Sequence, residues 1–214
     1  MASPADGCTH ALVQYVTSLT YGDLPPHVAG QAKKVILDAL ACQVACSRLE
    51  LGGIIVQFGK TLGGAAEASV FGGDYRTSAV NAALVNGTLG HGDEIDESLE
   101  EIGHASAVIV PAAFACGERD ARSGRGLIAA VVAGYDVAGR LADAGLVTSR
   151  LRRGLSTALL SALPGTAAAC SILGMRPAQT RIAFGLAASQ MGGFYDMGSE
   201  AKHGAKSAMR GFTA

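Results

Sequence analysis

The chain fills its apolar segments with small residues rather than with large ones. Glycine occurs 29 times in 214 residues, tryptophan is absent, and aromatic residues make up only 5% of the chain. A core of small side chains leaves voids unless backbones approach closely, which packed helices achieve. Strands instead favour aromatic and β-branched residues. The composition therefore predicts an all-α protein built as a helical bundle, rather than a β-sandwich.

Apolar spacing along the chain predicts a series of helices joined by short turns. Ser78 is the expected N-cap of one helix and Gly174 the C′ glycine of another. Residues 68–71 are β-prone, and we interpret them as an extended connector. No repeat or compositional shift divides the chain, so residues 1–214 are interpreted as one domain. The predicted helices cover residues 12–20, 28–46, 51–62, 79–89, 110–120, 127–144, 162–173 and 177–188, with a last helix beginning near Lys202.

Charge and hydropathy argue against several classes of protein. No apolar run reaches the ~18 residues of a membrane span, and the N-terminal segment lacks the basic region and apolar core of a signal peptide. A net charge of −1 with interspersed signs argues against a nucleic-acid partner. We therefore expect a cytoplasmic protein with no membrane or nucleic-acid partner. Five cysteines without metal-ligand spacing are interpreted as buried, reduced thiols: Cys8, Cys42, Cys46, Cys116 and Cys170.

Carboxylates are concentrated in one segment, residues 86–101 (NGTLGHGDEIDESLEE). Charged residues make up only 16% of the chain, yet this segment contains several acidic side chains close to His91 and His104. A carboxylate beside an imidazole can orient the ring and shift its pKa, which is the basis of proton transfer. A solvated acidic loop between two helices is the alternative interpretation. The acidic side chains are Glu94, Asp96, Glu97, Glu100 and Glu101.

The order of motifs resembles the MmgE/PrpD family over nearly the whole chain. Residues 81–87 (NAALVNG), His91 and residues 94–97 (EIDE) are similar to the family's NG…H…DFDD segment, with glutamate replacing the first and last aspartate. The family includes 2-methylcitrate dehydratases, cis-aconitate decarboxylases and iminodisuccinate epimerases. Further similar blocks are residues 21–25 with 37–38, 103–113, 134–141, 165–174, 187–193 and 198–202.

The resemblance implies a particular architecture. Family members are roughly twice as long as this chain and combine a large helical domain with a smaller α/β lid domain, usually as homodimers. The chain is similar to the N-terminal helical part alone, without the lid. We therefore expect a homo-oligomer, or a second chain that supplies the missing C-terminal half.

The resemblance also assigns roles within the acidic segment. His104 matches the family's first active-site histidine, and Glu94 and Asp96 would orient and tune it. The alternative for His104 is a loop histidine that caps the following helix. His91 is expected to hold the loop by hydrogen bonds, and we group it with the substrate-binding residues.

Four further candidates lie later in the chain. Ser156 occupies the place of the family's second histidine. Serine cannot replace imidazole as an acid or base near neutral pH, but it can hydrogen-bond a carboxylate. Lys202 matches the family's substrate-contacting lysine, and Lys206 is an alternative because this block is two residues shorter than usual. Either lysine could instead be an exposed helix residue. Arg153 is expected to help bind the substrate.

The function implied by the resemblance is lyase-type chemistry on a small carboxylic acid. A proton would move at the carbon beside a carboxylate, with loss of water or carbon dioxide, or with epimerisation. No metal or organic cofactor is implied. The alternative is a half-length, non-catalytic or partner subunit of a split complex, which the loss of the second histidine at Ser156 favours.

Overall fold

Helices form nearly all the regular structure in the computed structural model, which describes residues 4–99, 103–145, 158–191, 208 and 210–214. The predicted all-α class is confirmed. Two-residue strands β1 (Ala68–Ser69) and β2 (Arg76–Thr77) pair antiparallel, with Ala68 opposite Thr77. The helices are α1 (Pro4–Ser18), α2 (Pro26–Cys46), α3 (Glu50–Leu62), α4 (Ala79–Gly90), α5 (Ser106–Arg119), α6 (Gly124–Asp143), α7 (Ala158–Leu173) and α8 (Pro177–Gln190), with a 3-10 turn at Tyr21–Asp23.

Two predicted helix ends are confirmed. The Ser78 hydroxyl accepts a hydrogen bond from the backbone N–H of Asn81 at 3.3 Å and so caps α4. Gly174 follows α7 with a φ of +65°, the left-handed conformation that glycine adopts at little cost. The connector at residues 68–71 contributes strand β1, in agreement with its β-prone sequence.

Helix α5 begins at Ser106, four residues before the predicted start. The apolar run over residues 105–116 contains Pro111, and proline inside a helix removes a hydrogen bond. In the structure Pro111 lies within α5, and the N–H of Ser106 is bound by the side chain of Glu97 at 2.9 Å. A side chain from the preceding loop therefore satisfies the helix start, and local sequence does not reveal this contact.

The centre of the bundle consists of α5, α6 and α7. Gly134 of α6 lies at a close approach of these helices: a Cβ at this position would be 2.8 Å from Ile109 Cγ2 and 3.0 Å from the Pro164 carbonyl oxygen. Ala130, Val131 and other small or branched side chains fill the surrounding core. The close helix packing predicted from the small-residue composition is thus present.

The interpretation of the cysteines was partly wrong. All five are free, but only Cys42, Cys46 and Cys170 are buried, while Cys116 is half-buried. Cys8, in α1, is exposed.

Within the described residues, no single helix is both long and apolar enough to cross a membrane. Helices α2 and α3 meet the length and composition requirement only as a pair, and they are bent by 93° relative to each other.

The packing at Gly134 leads to a stability prediction. Gly134→Ala should destabilise the fold by about 1–3 kcal/mol, because the new methyl group meets Ile109 and a backbone carbonyl in a well-packed core. Gly139→Ala on the same helix is the matched control, since a Cβ there meets nothing within 4 Å. It should stabilise by up to about 1 kcal/mol through helix propensity. Urea unfolding measures both, and equal midpoints for the two variants would contradict the proposed close approach.

Candidate active site

The loop between α4 and α5 brings two histidines together. His91 is the residue that ends α4, and its side chain is only 2% exposed. Leu99 and Gly103 form an isolated antiparallel bridge, with N–H to carbonyl distances of 3.0 and 2.7 Å. Gly103 has a φ of +74°, a conformation that favours glycine. This bridge turns the chain back so that His104 lies beside His91, with the ring centroids 4.4 Å apart.

A single buried carboxylate, Asp96, joins the two imidazoles. Asp96 Oδ1 lies 3.0 Å from His91 Nδ1 and 3.1 Å from His104 Nδ1. The main-chain oxygen of Asp96 lies a further 3.3 Å from His104 Nδ1. Because a carboxylate only accepts, each Nδ1 carries the proton, and the Nε2 atoms are the remaining sites of protonation. We call these three residues the Asp96 triad.

Burial and hydrogen bonding give the three residues different pKa values. Burial alone would raise the pKa of Asp96, but hydrogen bonds from His104 and His91 hold it below its usual value. The hydrogen bond to Asp96 raises the pKa of His104 against the opposing effect of burial. Burial lowers the pKa of His91 by more than Asp96 raises it. His104 is therefore the imidazole that more readily becomes charged.

Glu94 contacts His91. The resemblance assigned Glu94 and Asp96 jointly to His104, and Asp96 does contact His104. The ion-pair distance described for Glu94 is 3.5 Å, from its Oε1 to His91 Nε2. Glu94 has a φ of +51°, which is unusual for a residue with a side chain. This backbone conformation places the Glu94 carboxylate on the His91 side of the triad.

Glu97 was not among the predicted site residues, yet it connects the loop to three helices. Its Oε1 accepts hydrogen bonds from the Ser106 N–H at 2.9 Å and from the Tyr135 hydroxyl of α6. Its own N–H donates to Asp38 Oδ2 of α2 at 3.2 Å. Burial raises the pKa of Glu97, although the bonds from Tyr135 and Ser106 oppose this. The sequence feature that could have identified Glu97 is its position among the acidic residues of the segment 86–101.

An open cavity of about 590 Å³ adjoins Glu97. Apolar side chains of α2 and α6 form most of its wall, and Glu97, Leu99 and Tyr135 contribute to its lining. None of the three triad residues is among its described lining residues. The cavity therefore borders Glu97 and Tyr135, which hold the loop, and its described lining does not include the two imidazole rings.

The triad atoms are close enough together to be considered as metal ligands. His91, Asp96 and His104 each offer one ligand atom, all within 4.8 Å of one another, and imidazole and carboxylate suit divalent transition metals. However, both Nδ1 atoms already hydrogen-bond the same carboxylate oxygen. The positive charge of Arg210 also acts on both rings and disfavours a further positive charge beside them. The geometry is that of a hydrogen-bonded triad.

The other predicted site residues, Arg153, Ser156, Lys202 and Lys206, lie outside the described residues. Arg210, which sequence reasoning did not select, is described near the end of the chain. Its side chain is buried, and its Nη1 donates to Ser161 Oγ at 2.6 Å. Its charge reaches the triad, although Arg210 is more than a hundred residues away in sequence. No local pattern could have indicated this proximity.

Sequence comparison places this loop in a known family. The sequence model of the MmgE/PrpD N-terminal domain matches residues 10–214. The chain belongs to the MmgE/PrpD family. The resemblance noted from the motifs is thereby confirmed.

Relatives in the family are named for decarboxylation. The chain is 29% identical over 202 residues to the cis-aconitate decarboxylase-like protein oryM of Aspergillus oryzae (strain ATCC 42149 / RIB 40), covering 90% of this chain and 42% of that protein. It is 26% identical over 191 residues to the cis-aconitate decarboxylase of Aspergillus terreus, covering 86% of this chain and 39% of that protein. The chain thus spans less than half the length of these relatives.

The shared carboxylate predicts a measurable pKa change. Asp96→Asn should lower the pKa of His104, because it removes the negative charge that favours the imidazolium and leaves only a neutral amide oxygen as the acceptor. NMR titration of the His104 ring protons in the isolated chain measures this directly. Asp93→Asn is the control, because it removes an equal charge from an exposed position in the same loop. An unchanged His104 pKa in Asp96→Asn would show that Asp96 does not tune this ring.

Proposed function

We propose that this chain is the catalytic helical part of a lyase that moves a proton at the carbon beside a carboxylate of a small carboxylic acid. The observation that carries the proposal is the pairing of His104 with buried Asp96 at 3.1 Å. His104 is 24% exposed, so its ring can meet a substrate, whereas Asp96 is fully buried and stays ionised. A fixed carboxylate behind a solvent-accessible imidazole is suited to general acid–base catalysis.

Proton transfer would use Nε2 of His104. Nδ1–H remains bound to Asp96, which stabilises the imidazolium whenever Nε2 is protonated. In a decarboxylation, the bond to the leaving carboxylate breaks and its electron pair moves to the adjacent carbon, where the imidazolium delivers the proton. In a dehydration, neutral Nε2 would remove the proton beside the carboxylate, the bond from the neighbouring carbon to its hydroxyl group would break, and the hydroxyl would leave as water with the proton from the imidazolium. In an epimerisation, Nε2 would remove the same proton, and a proton would be returned to the opposite face of that carbon. Either direction requires no metal or organic cofactor.

We propose decarboxylation as the first reaction to test, with cis-aconitate as the first substrate, because two relatives are named for it. The raised pKa of His104 supports this choice, since it favours the acid form of the imidazole that would deliver the proton. Lys202 or Lys206 would bind a substrate carboxylate as a point charge with three donors. Ser156 and Arg153 would contribute further hydrogen bonds to the substrate.

The second candidate is a non-catalytic or partner subunit of a split complex. One observation favours it: by the family resemblance, serine stands at position 156 in place of the family's second histidine. In this case the Asp96 triad would be a structural remnant of the family site.

His104→Gln should reduce turnover about 10²–10⁴-fold, the contribution of one general acid or base. The assay uses the chain with whatever polypeptide completes it, on a panel of tricarboxylates and dicarboxylates that includes cis-aconitate. Ser156→Ala should cost less, because it removes a hydrogen bond worth roughly 0.5–1.5 kcal/mol. His10→Gln, at an exposed histidine of α1, is the matched control.

The pH dependence separates the two directions of proton transfer. If His104 donates the proton, kcat/KM should fall as the pH rises through the His104 pKa, which lies above the ordinary histidine value. If His104 accepts the proton, kcat/KM should instead rise through the same pH range. Full activity of His104→Gln would overturn the acid–base role and leave the partner-subunit proposal.

We also propose that this part of the subunit associates with a second copy or with a chain that supplies the remainder. The outer face of α3 presents Ile54, Phe58 and Leu62, spaced four residues apart and therefore on one side of the helix. Ile54 is 61% exposed and Phe58 is 46% exposed. A row of large exposed apolar side chains is a feature of interaction surfaces.

Light scattering of the isolated chain should show a molar mass that rises with concentration. Phe58→Glu should lower this association, since a charge on the apolar face must be desolvated when the face is covered. Gln57→Glu adds the same charge at the neighbouring exposed position of α3 and is the matched control. A wild-type chain that stays monomeric over a wide concentration range would contradict association with a second copy.

A further inference from the structure

Glu97 is the point at which the active-site loop is attached to the helical bundle. One carboxylate oxygen accepts from Ser106 at the start of α5 and from Tyr135 of α6. The backbone N–H of Glu97 donates to Asp38 of α2 at 3.2 Å. One residue therefore connects the loop to three helices that also pack against one another.

These connections lie next to both partners of the proton-transfer pair. Asp96 immediately precedes Glu97, and His104 lies two residues before Ser106, which Glu97 binds. Glu97 thus holds the chain on the Asp96 side and the His104 side at once. The Asp96–His104 distance of 3.1 Å depends on the relative position of these two chain segments. A displacement of about 1 Å in such a pair can cost on the order of 10²-fold in rate.

The described hydrogen bonds of the Glu97 carboxylate are made by one of its oxygens. Glu97 Oε1 accepts both from the Ser106 N–H of α5 and from the Tyr135 hydroxyl of α6. A single atom therefore holds the loop against two helices, and its removal should release both contacts together.

We propose that Glu97, held by Ser106 and Tyr135, is a positioning residue that fixes Asp96 and His104 at their working distance. This inference rests on the proposed function of His104, because positioning affects a rate only if the pair transfers a proton. Glu97 does not touch the reacting atoms in this scheme. Its effect reaches the substrate through Asp96 and His104.

Three variants test the proposal in the complete subunit. Tyr135→Phe removes one hydroxyl donor, Glu97→Ala removes the acceptor, and Glu97→Gln keeps an acceptor oxygen of the same length. We expect kcat to fall about 10–10²-fold in Glu97→Ala and by a smaller factor in Tyr135→Phe, with KM nearly unchanged. Glu97→Gln should recover most of the activity. The unequal effect on kcat and KM is a readout that general loosening of the fold would not produce.

NMR of the isolated chain provides a readout that needs no substrate. The hydrogen-bonded Nδ1 proton of His104 should be observed in the wild-type chain and in Glu97→Gln, and it should be lost or shifted in Glu97→Ala and Tyr135→Phe. Tyr75→Phe is the matched control, because it removes a half-buried hydroxyl bound to the Val56 carbonyl at 2.8 Å, away from the triad. Circular dichroism verifies that each variant is folded, and Tyr135→Phe provides the milder change if Glu97→Ala is not.

The outcomes separate this inference from the proposed function. A lost His104 signal with no turnover in any variant or in wild type would uphold the positioning role and overturn the proposed reaction. An unchanged His104 signal in both Glu97→Ala and Tyr135→Phe would overturn the positioning role, whatever the activity. Retention of wild-type kcat by Glu97→Ala in an active enzyme would overturn it as well.

Discussion

The site depends on one buried negative charge, the Asp96 carboxylate. A buried carboxylate is costly unless it is paired and hydrogen-bonded, and Asp96 obtains this pairing from two imidazole N–H groups at 3.0 and 3.1 Å. The pairing determines which nitrogen of each ring carries the proton. It therefore also determines that Nε2 of His104 is the atom through which the site can exchange a proton with a substrate.

Small residues in the bundle affect the position of the Asp96 carboxylate through the neighbouring residue Glu97. Gly134 allows α6 to approach Ile109 of α5 and the Pro164 carbonyl of α7. That close approach places Tyr135, the next residue of α6, within hydrogen-bonding reach of Glu97. Larger residues at the crossing would move α6 outward, and the Tyr135 hydroxyl would move with it. The composition that predicts the fold is thus also a requirement for the geometry of the loop.

Sequence reasoning succeeded where the determinants are local. The cap at Ser78 and the glycine at Gly174 follow from backbone chemistry within a few residues. The Asp96–His104 pair followed from family motifs, since both residues lie in one short loop. The contacts of Tyr135 with Glu97 and of Arg210 with Ser161 join residues 38 and 49 positions apart. They arise from helix packing, which no periodic pattern or motif in a single sequence specifies.

The two histidines share one carboxylate but acquire opposite properties because their burial differs. His91 is 2% exposed and its pKa is lowered, whereas His104 is 24% exposed and its pKa is raised. An ordinary histidine has a pKa of about 6.5. Because the pKa of His104 is raised by folding, its contribution to the free energy of unfolding is fully present below about pH 6.5 and is lost as the pH rises through the folded pKa. His91 contributes stability above that ordinary value and loses it as the pH falls through its lower folded pKa. At a pH between the folded pKa of His91 and the folded pKa of His104, His104 is charged, His91 is neutral and Asp96 is ionised. The protonated His104 that the proposed decarboxylation would use is therefore also the state that the hydrogen bond to Asp96 favours.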